Sequence, residues 1–305
     1  MLEFRPPALD MKGMIDSYTF KYGEGSCQHS FVSSFCLYGK YGDKFCERDG
    51  VLYVLRSKRC KDDERVYLFP MCDPSEMKGA LRNVFDDAHS HDCRVKFETL
   101  TECAKNVVME LYPGKFSIES SRDYAEYVYS VDKLMNLPGG ELARKRQYAN
   151  KFKKDFGGRY RSEMITPEYF PGILDFQARW LEDKKRLAPD PYLDIEDEEI
   201  KIAFRHFDEL GLSGIVLLID GEIRGYFFGC PLSDECFTDI VNKADRNITG
   251  IYHVLVGEFL RKCCRGYSFI NRQEDLGVPG LRKIKSEYRP DFMINKFILT
   301  EASYE

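Results

Sequence analysis

Residues able to do chemistry concentrate between Asn271 and Lys285. Glu274 and Asp275 are adjacent carboxylates just beyond the apolar run Ser268–Asn271, which reads as a strand. A carboxylate at a strand end is a usual place for a general base. Gly277 and Gly280 permit a tight turn and close backbone approach. Arg282 and Lys285, three residues apart, fall on one helix face, where both could meet a phosphate or a developing negative charge. The same residues have a structural reading, with Asp275 capping the short helix and Arg282 holding a carboxylate across a domain seam. Tyr252, beside His253 in the first turn of an expected helix Gly250–Cys264, is either a proton donor or a packed aromatic.

A second feature is a block of cations. Arg144, Lys145, Arg146, Lys151, Lys153, Lys154, Arg159 and Arg161 are opposed locally only by Glu141 and Asp155. They spread around more than one helix face. They form either a solvated surface or a phosphate-tracking one that gains affinity from counterion release. Tyr148, Phe152 and Tyr160 could stack on an unpaired strand end, although Phe152 and Phe156, four apart, suit a core-facing pair equally well. The formal net charge is −5, and the stretch Asp190–Glu199 is acidic, so anion binding requires the basic stretches to share a groove.

Other chemistries find less support. His89, His91 and Cys93 are spaced as ligands, but no second cluster completes a zinc site, so no metal is expected. The 11 cysteines are odd in number and contain no C-x-x-C pair, which predicts reduced thiols and a cytoplasmic location. Cys263 and Cys264 read as buried thiols. No apolar run approaches the roughly 20 residues of a membrane span, and the N-terminus lacks a signal-peptide core; any membrane contact is expected to be peripheral. Neither G-x-G-x-x-G nor G-x-x-x-x-G-K-[ST] occurs. A CoA-type phosphate turn is matched only loosely by Arg246-Asn-Ile-Thr-Gly250, although the helix that follows could still offer N–H groups to an anion.

The elements that must position these groups are mixed. At 305 residues the chain predicts two domains, 1–126 and 127–305. In the first, strands are expected at Val51–Ser57, Arg65–Pro70, Val95–Leu100 and Phe116–Glu119, with helices from Pro74 to about His89 and over Glu102–Leu111. In the second, helices are expected at Val131–Leu137, Glu141–Phe156, Thr166 to Lys184, Asp197–Leu210 and Gly250–Cys264. Strands are expected at Tyr160–Ile165, Cys236–Asn242 and Ser268–Asn271, with a hairpin Gly214–Ile219/Ile223–Gly229 turning at Asp220-Gly221, and Phe292–Leu299 is the last element. Strand runs with inserted helices argue for α/β (α+β) units with mixed sheets and against a dinucleotide ladder.

Two segments carry a family resemblance. One is Asp123-Tyr-Ala-Glu-Tyr-Val-Tyr-Ser130, followed by Leu134, Leu137-Pro-Gly-Gly140, Lys145-Arg146-Gln147 and Asn150-Lys151-Phe152. The other is Asn271-Arg-Gln-Glu-Asp-Leu-Gly-Val-Pro-Gly-Leu-Arg-Lys-Ile-Lys285 with Tyr288-Arg-Pro290. Together they resemble, from about Ser30 onward, the soluble bacterial family named for the C-terminal, catalytic domain of phosphatidylglycerol lysyltransferases. The resemblance implies two tandem GNAT-like (acyltransferase) domains, the arrangement also used by enzymes that add amino acids to cell-wall peptides from aminoacyl-tRNA. It implies aminoacyl transfer without a cofactor, with tRNA as a partner and the acceptor unidentified. Because aminoacyl esters are already activated, the enzyme would mainly position the acceptor, remove its proton and stabilise an oxyanion. Asp275, Glu274, Lys285, Arg282 and Tyr252 are the catalytic candidates on this reading. Arg144, Lys145, Arg146, Lys151, Lys154, Asn271 and Arg272 are the substrate- or tRNA-binding candidates. The chain departs from the expected pattern at Asn242, before Lys243-Ala244, and at Cys230, after Gly229, where the family is expected to carry Glu. A CoA-dependent N-acyltransferase and a non-catalytic binding module with the same fold are the alternatives.

Overall fold

The computed structural model describes residues 2–188, 190 and 192–302. The chain forms two compact units. Unit 1 comprises Met1–Glu126 with Glu274–Pro279 and Met293–Glu305, and unit 2 comprises Tyr127–Gln273 with Gly280–Phe292. The chain therefore switches from one unit to the other within the signature segment, and the portion from Met293 joins the first unit instead of remaining with the second.

Unit 1 contains helices α1 (Lys12–Tyr22), α2 (Phe31–Cys36), α3 (Tyr38–Tyr41), α4 (Met77–His89) and α5 (Glu102–Leu111). Its strands are β1 (Asp43–Arg48), β2 (Val51–Arg56), β3 (Glu64–Tyr67), β4 (Arg94–Leu100) and β5 (Phe116–Ser120). The elements from β2 to β5 follow the sequence expectation closely. Thr101 caps α5 through a 3.2 Å bond from the Ala104 N–H, as its hydroxyl type favours. The early helices were not foreseen, because α1 buries only Ile15 and Thr19 and so carries no apolar stripe to read. The core gathers Tyr53, Tyr67, Leu81, Val84, Phe97 and Leu299 between the sheet and the helices.

Unit 2 follows with β6 (Glu126–Ser130), α6 (Val131–Asn136), α7 (Ala143–Phe156), β7 (Tyr160–Met164), α8 (Phe170–Leu187), α9 (Tyr192–Arg205), β8 (Ser213–Ile219), β9 (Glu222–Pro231), β10 (Cys236–Ala244), α10 (Ile251–Cys263), β11 (Phe269–Asn271), α11 (Pro279–Glu287) and β12 (Phe292–Ile294). The sheet order is β12-β6-β11-β10-β9-β8-β7. Successive aromatics of β9 alternate between its faces. Tyr226 and Phe228 meet Phe204 of α9 with centroids 6.2 and 5.3 Å away, while Phe227 stacks on Phe259 of α10 at 3.7 Å. Helices thus cover both faces, which is why this strand reads as continuously apolar. Helix α9 starts and ends about five residues before the expected Asp197–Leu210. Residues of the acidic stretch form its first turns, and Asp190 Oδ1 accepts the Tyr192 N–H at 2.9 Å, a favourable charge for a helix start.

The last expected element, Phe292–Leu299, is divided between two strands. β12 lies at the edge of the unit 2 sheet, whereas β13 (Phe297–Glu301) inserts between β4 and β5 to complete the unit 1 order β1-β2-β3-β4-β13-β5. The polar pair Asn295-Lys296 breaks the apolar run, and Lys296 turns inward to an ion pair with Glu126 at 2.9 Å. Both units are mixed sheets flanked by helices, the α/β (α+β) architecture expected from the sequence.

Candidate active site

In unit 2, β11 runs parallel to β10 only over Cys236–Thr238 against Phe269–Asn271, while β10 continues along β9 to Ala244. The β10 register shifts between Asp239 and Val241, where β11 has just ended. Gly229 faces Asp239 at this bulge, and a Cβ there would lie 1.9 Å from the Thr238 carbonyl oxygen. Only glycine tolerates so close an approach. Beyond Asp239, β10 pairs with β9 alone, leaving its other edge without a strand partner among the described residues. Tyr252 ties off the end of that edge. Its hydroxyl accepts the Ala244 N–H at 3.2 Å and donates to the Ala244 carbonyl at 3.1 Å.

Arg272, the first residue after β11, is buried and donates from Nε to Asp239 Oδ2 at 2.7 Å. Its guanidinium carbon lies 6.0 Å from the Phe227 ring centroid and 5.9 Å from that of Tyr288. Lys285 donates to the Arg272 carbonyl at 2.7 Å, and the Tyr129 hydroxyl donates to the Lys285 carbonyl at 2.7 Å. Tyr288, just past α11, hydrogen-bonds His253 Nδ1. The His253 ring stacks on Tyr148 of α7 at 5.7 Å and 14°.

Burial lowers the His253 pKa to about 4, helped by the nearby Lys145 and Arg272 charges. Burial raises Tyr288 to about 12 against the opposing influence of Arg272. At neutral pH the imidazole is therefore uncharged and the phenol protonated. The hydroxyl and Nδ1 share one hydrogen bond, whose donor is set by the imidazole tautomer. Lys145, in an ion pair with Glu287, lies 5.2 Å from the Tyr288 ring. Asn242 shares the Asp239 face of β10 by register, and its side-chain oxygen is buried without a hydrogen-bond partner. An acceptor so placed suits a donor N–H or O–H of a ligand.

The structure brings Arg272, Lys285 and Lys145 into this constellation. Arg282 shares with Lys285 the partly buried side of α11, whereas Leu281 and Ile284 are exposed. Asn271 closes the turn after β11, its Oδ1 accepting the Gln273 N–H at 2.9 Å and its carbonyl accepting the Thr238 hydroxyl at 3.0 Å. On α7, Arg144 bonds the Tyr148 hydroxyl at 3.1 Å, Arg146 bonds the Gly139 carbonyl at 3.1 Å, and Lys151 pairs with Asp155 at 2.8 Å. Lys153 and Lys154 are exposed with Lys151. The aromatics near this helix serve packing. Phe152 is fully buried, 5.0 Å from Phe156 and 5.1 Å from Tyr160, which answers the strand-stacking expectation with the core-facing alternative.

Glu274 and Asp275 belong to unit 1. Asp275 is wholly buried, pairs with Arg122 at 3.2 Å and accepts the Gly277 N–H at 2.9 Å. It closes its own turn four residues ahead of α11. Glu274 accepts from Gln28 at 3.0 Å and faces the Cys27 thiol at 3.7 Å. Beside them, buried Glu126 gathers the Ser26 hydroxyl at 2.9 Å, the Cys27 N–H at 3.1 Å and Lys296 at 2.9 Å. Burial and the Glu126 charge push the Cys27 thiol far upward, so it is no nucleophile. His89 and His91, spaced as metal ligands, turn to different partners, Glu301 at 3.1 Å and the Asp87 carbonyl at 2.7 Å.

Asp239, His253, Tyr288, Glu126 and Lys296 were not singled out as site residues from sequence. A visible signal existed for two of them: Asp239 and Lys296 are lone charges inside apolar strand runs, where a charge is retained only with a partner.

The site is thus a mixed sheet opened beside a buried Arg–Asp pair and a Tyr–His pair. The chain belongs to the family described as phosphatidylglycerol lysyltransferase, C-terminal, matched over residues 20–300. A conserved protein of unknown function from Bacteroides thetaiotaomicron is similar at 27% identity and TM-score 0.92, covering 99% of this chain and 100% of that one. L-PGS from Bacillus licheniformis superposes at TM-score 0.66 and 15% identity, covering 99% of this chain and 94% of that one. An uncharacterized protein of Mycoplasmoides gallisepticum is 22% identical over 265 residues, 85% of this chain and 82% of that one. No helix of the described residues is long and apolar enough to cross a membrane.

Proposed function

We propose that the chain transfers an aminoacyl group from aminoacyl-tRNA to an amine or hydroxyl acceptor. The observation carrying this reading is the Tyr288–His253 pair beside the unpartnered edge of β10. An extended acyl chain laid along that edge would find backbone groups to bond. Attack by the acceptor oxygen or nitrogen on the ester carbonyl forms the new acyl bond and breaks the bond to the departing 3′-oxygen. Tyr288 is placed to protonate that oxygen. The nucleophile's proton passes to His253 or solvent, and its return restores the phenol. The family name supports a lipid hydroxyl as one acceptor class. The exposed lysines of α7 would track the tRNA phosphates.

The test uses tRNA charged with labelled amino acids, offered with phosphatidylglycerol vesicles or a peptide amine. Label moving to one acceptor, and slowed by Tyr288→Phe, supports the reading. Deacylation no faster than spontaneous hydrolysis across all aminoacyl-tRNAs would sink it.

A CoA thioester donor is the second reading. It is favoured by α10, which begins after Gly250 at φ 86°, where a Cβ would meet the Tyr148 carbonyl oxygen at 2.2 Å. Its first turn lies beside the open edge of β10 through the Tyr252–Ala244 bonds. Millimolar acetyl-CoA leaving Tm unchanged would count against it.

A further inference from the structure

A groove of about 760 Å³ opens in unit 2 between α8, the β8–β9 hairpin and the turn 245–247. It falls within the volume range of small-ligand sites, about 300–1,000 Å³. Its floor is apolar, with Phe176, Ile223 and Trp180. Four arginines line it, and two of them are engaged. Arg186 bonds Asp183 at 3.0 Å, and Arg224 bonds Glu222 at 2.6 Å with Asp245 at 3.6 Å. The other two, Arg179 and Arg246, are exposed and have no carboxylate within ion-pair distance among the described residues. Asp175 is the one lining carboxylate outside the pairs just named.

Trp180 is flanked by cations. Lys243, buried and tied to Glu196 at 2.6 Å, lies 4.0 Å from the indole centroid, and Arg246 lies 5.3 Å from it. A lone carboxylate ligand would occupy one guanidinium, whereas the several oxygens of a phosphate can serve both. An indole–guanidinium platform stacks flat heteroaromatic rings without demanding one sequence.

From this combination we infer that the groove binds a nucleoside phosphate, with the base against Trp180 and Arg246 and the phosphate between Arg179 and Arg246. The unit is either a free nucleotide or the last nucleotide of an RNA strand; the chemistry is shared. The inference stands apart from the acyl-transfer reading, because binding here needs neither Tyr288 nor His253.

Trp180 is the sole tryptophan of the chain, so its emission reports this groove alone. Titration with AMP should quench it saturably. Adenosine should bind at least tenfold more weakly, and the double variant R179Q/R246Q should lose at least tenfold in AMP affinity at unchanged Tm. Tyr288→Phe should leave the quenching intact, so failure of acyl transfer and failure of this site are distinguishable. A single-stranded RNA trinucleotide binding tighter than AMP would assign the groove to a strand end, and the reverse order to a free nucleotide. Absence of saturable quenching at millimolar AMP, equal affinity for adenosine, or unchanged AMP affinity in the double variant would each overturn the inference.

Discussion

The hydroxyl of Tyr288 and Nδ1 of His253 form a hydrogen bond between two groups whose pKa values burial drives apart, to about 12 and about 4. The phenol keeps its proton and the imidazole stays neutral across the physiological range. The pair therefore gives the reacting centre a proton donor that carries no charge.

Removing the phenol oxygen tests this directly. Tyr288→Phe is expected to slow single-turnover acyl transfer by about 10²- to 10⁴-fold, the usual worth of a placed general acid. Stability should fall by only about 1–3 kcal/mol, from the buried imidazole nitrogen left without its partner. Rapid-quench kinetics beside urea unfolding separates the two effects, and equal single-turnover rates would exclude Tyr288 from proton transfer.

Acid should destabilise the fold through histidines before carboxylates titrate. His29, fully buried and bonded through Nδ1 to the Gly23 carbonyl at 3.2 Å, is lowered to about 4 by burial, with the nearby Lys296 charge adding to the effect. His253 is lowered to the same extent. A depressed histidine pKa leaves stability complete above the unfolded value of about 6.5 and loses it as pH falls towards the folded value. Tm should drop between pH 6.5 and 5. The drop should be smaller in His29→Asn, and a pH-independent Tm over that window would contradict the assignment.

Arg272 and Asp239 are nearly enclosed, each with its side chain 10% exposed. Asp239→Asn should therefore cost about 3–5 kcal/mol, because it leaves a buried guanidinium without its counter-charge. The double change Arg272→Met with Asp239→Leu should recover most of that loss, since apolar replacement of a buried pair is often neutral. Denaturant midpoints of the three variants decide the matter, and equal losses for single and double variants would argue against charge burial as the cause.

The proposed tRNA contacts rest on the solvent-facing lysines of α7. Lys145 and Arg146 are engaged within unit 2, whereas Lys151, Lys153 and Lys154 face solvent. The triple Glu replacement of these three is expected to weaken tRNA binding and to flatten its dependence on log salt by about 2–3, one phosphate contact per lysine. Filter binding at several salt concentrations measures this slope, and an unchanged slope would remove α7 from the interface.

Legibility followed periodicity. Strands β4 and β8 and helices α4, α5 and α10 were readable within a few residues, because apolar spacing alone defines them. Helix α1 was missed because it buries two residues only. The site was half readable. The Asn271–Lys285 motif drew attention to Arg272 and Lys285, which converge in unit 2, and also to Glu274 and Asp275, which fall in unit 1. The chain passes from unit 2 to unit 1 after Gln273 and back at Gly280, a division that local patterns do not encode. The Tyr288–His253 bond spans 35 residues and depends on α10 and α11 being packed, which no spacing rule supplies.

Strand β13 lies between β4 and β5, so the first unit to emerge from a ribosome cannot close its sheet until residues Phe297–Glu301 have also been made. Unit 2 is synthesised in between. At about 5–20 residues per second, the wait is on the order of ten to thirty seconds. During that interval β4 and β5 hold open a slot with the hydrogen-bonding groups of a missing central strand, a template for any extended chain nearby. The unit translated first is thus the one finished last, and the nascent protein is most exposed to mispairing while its second half is being built.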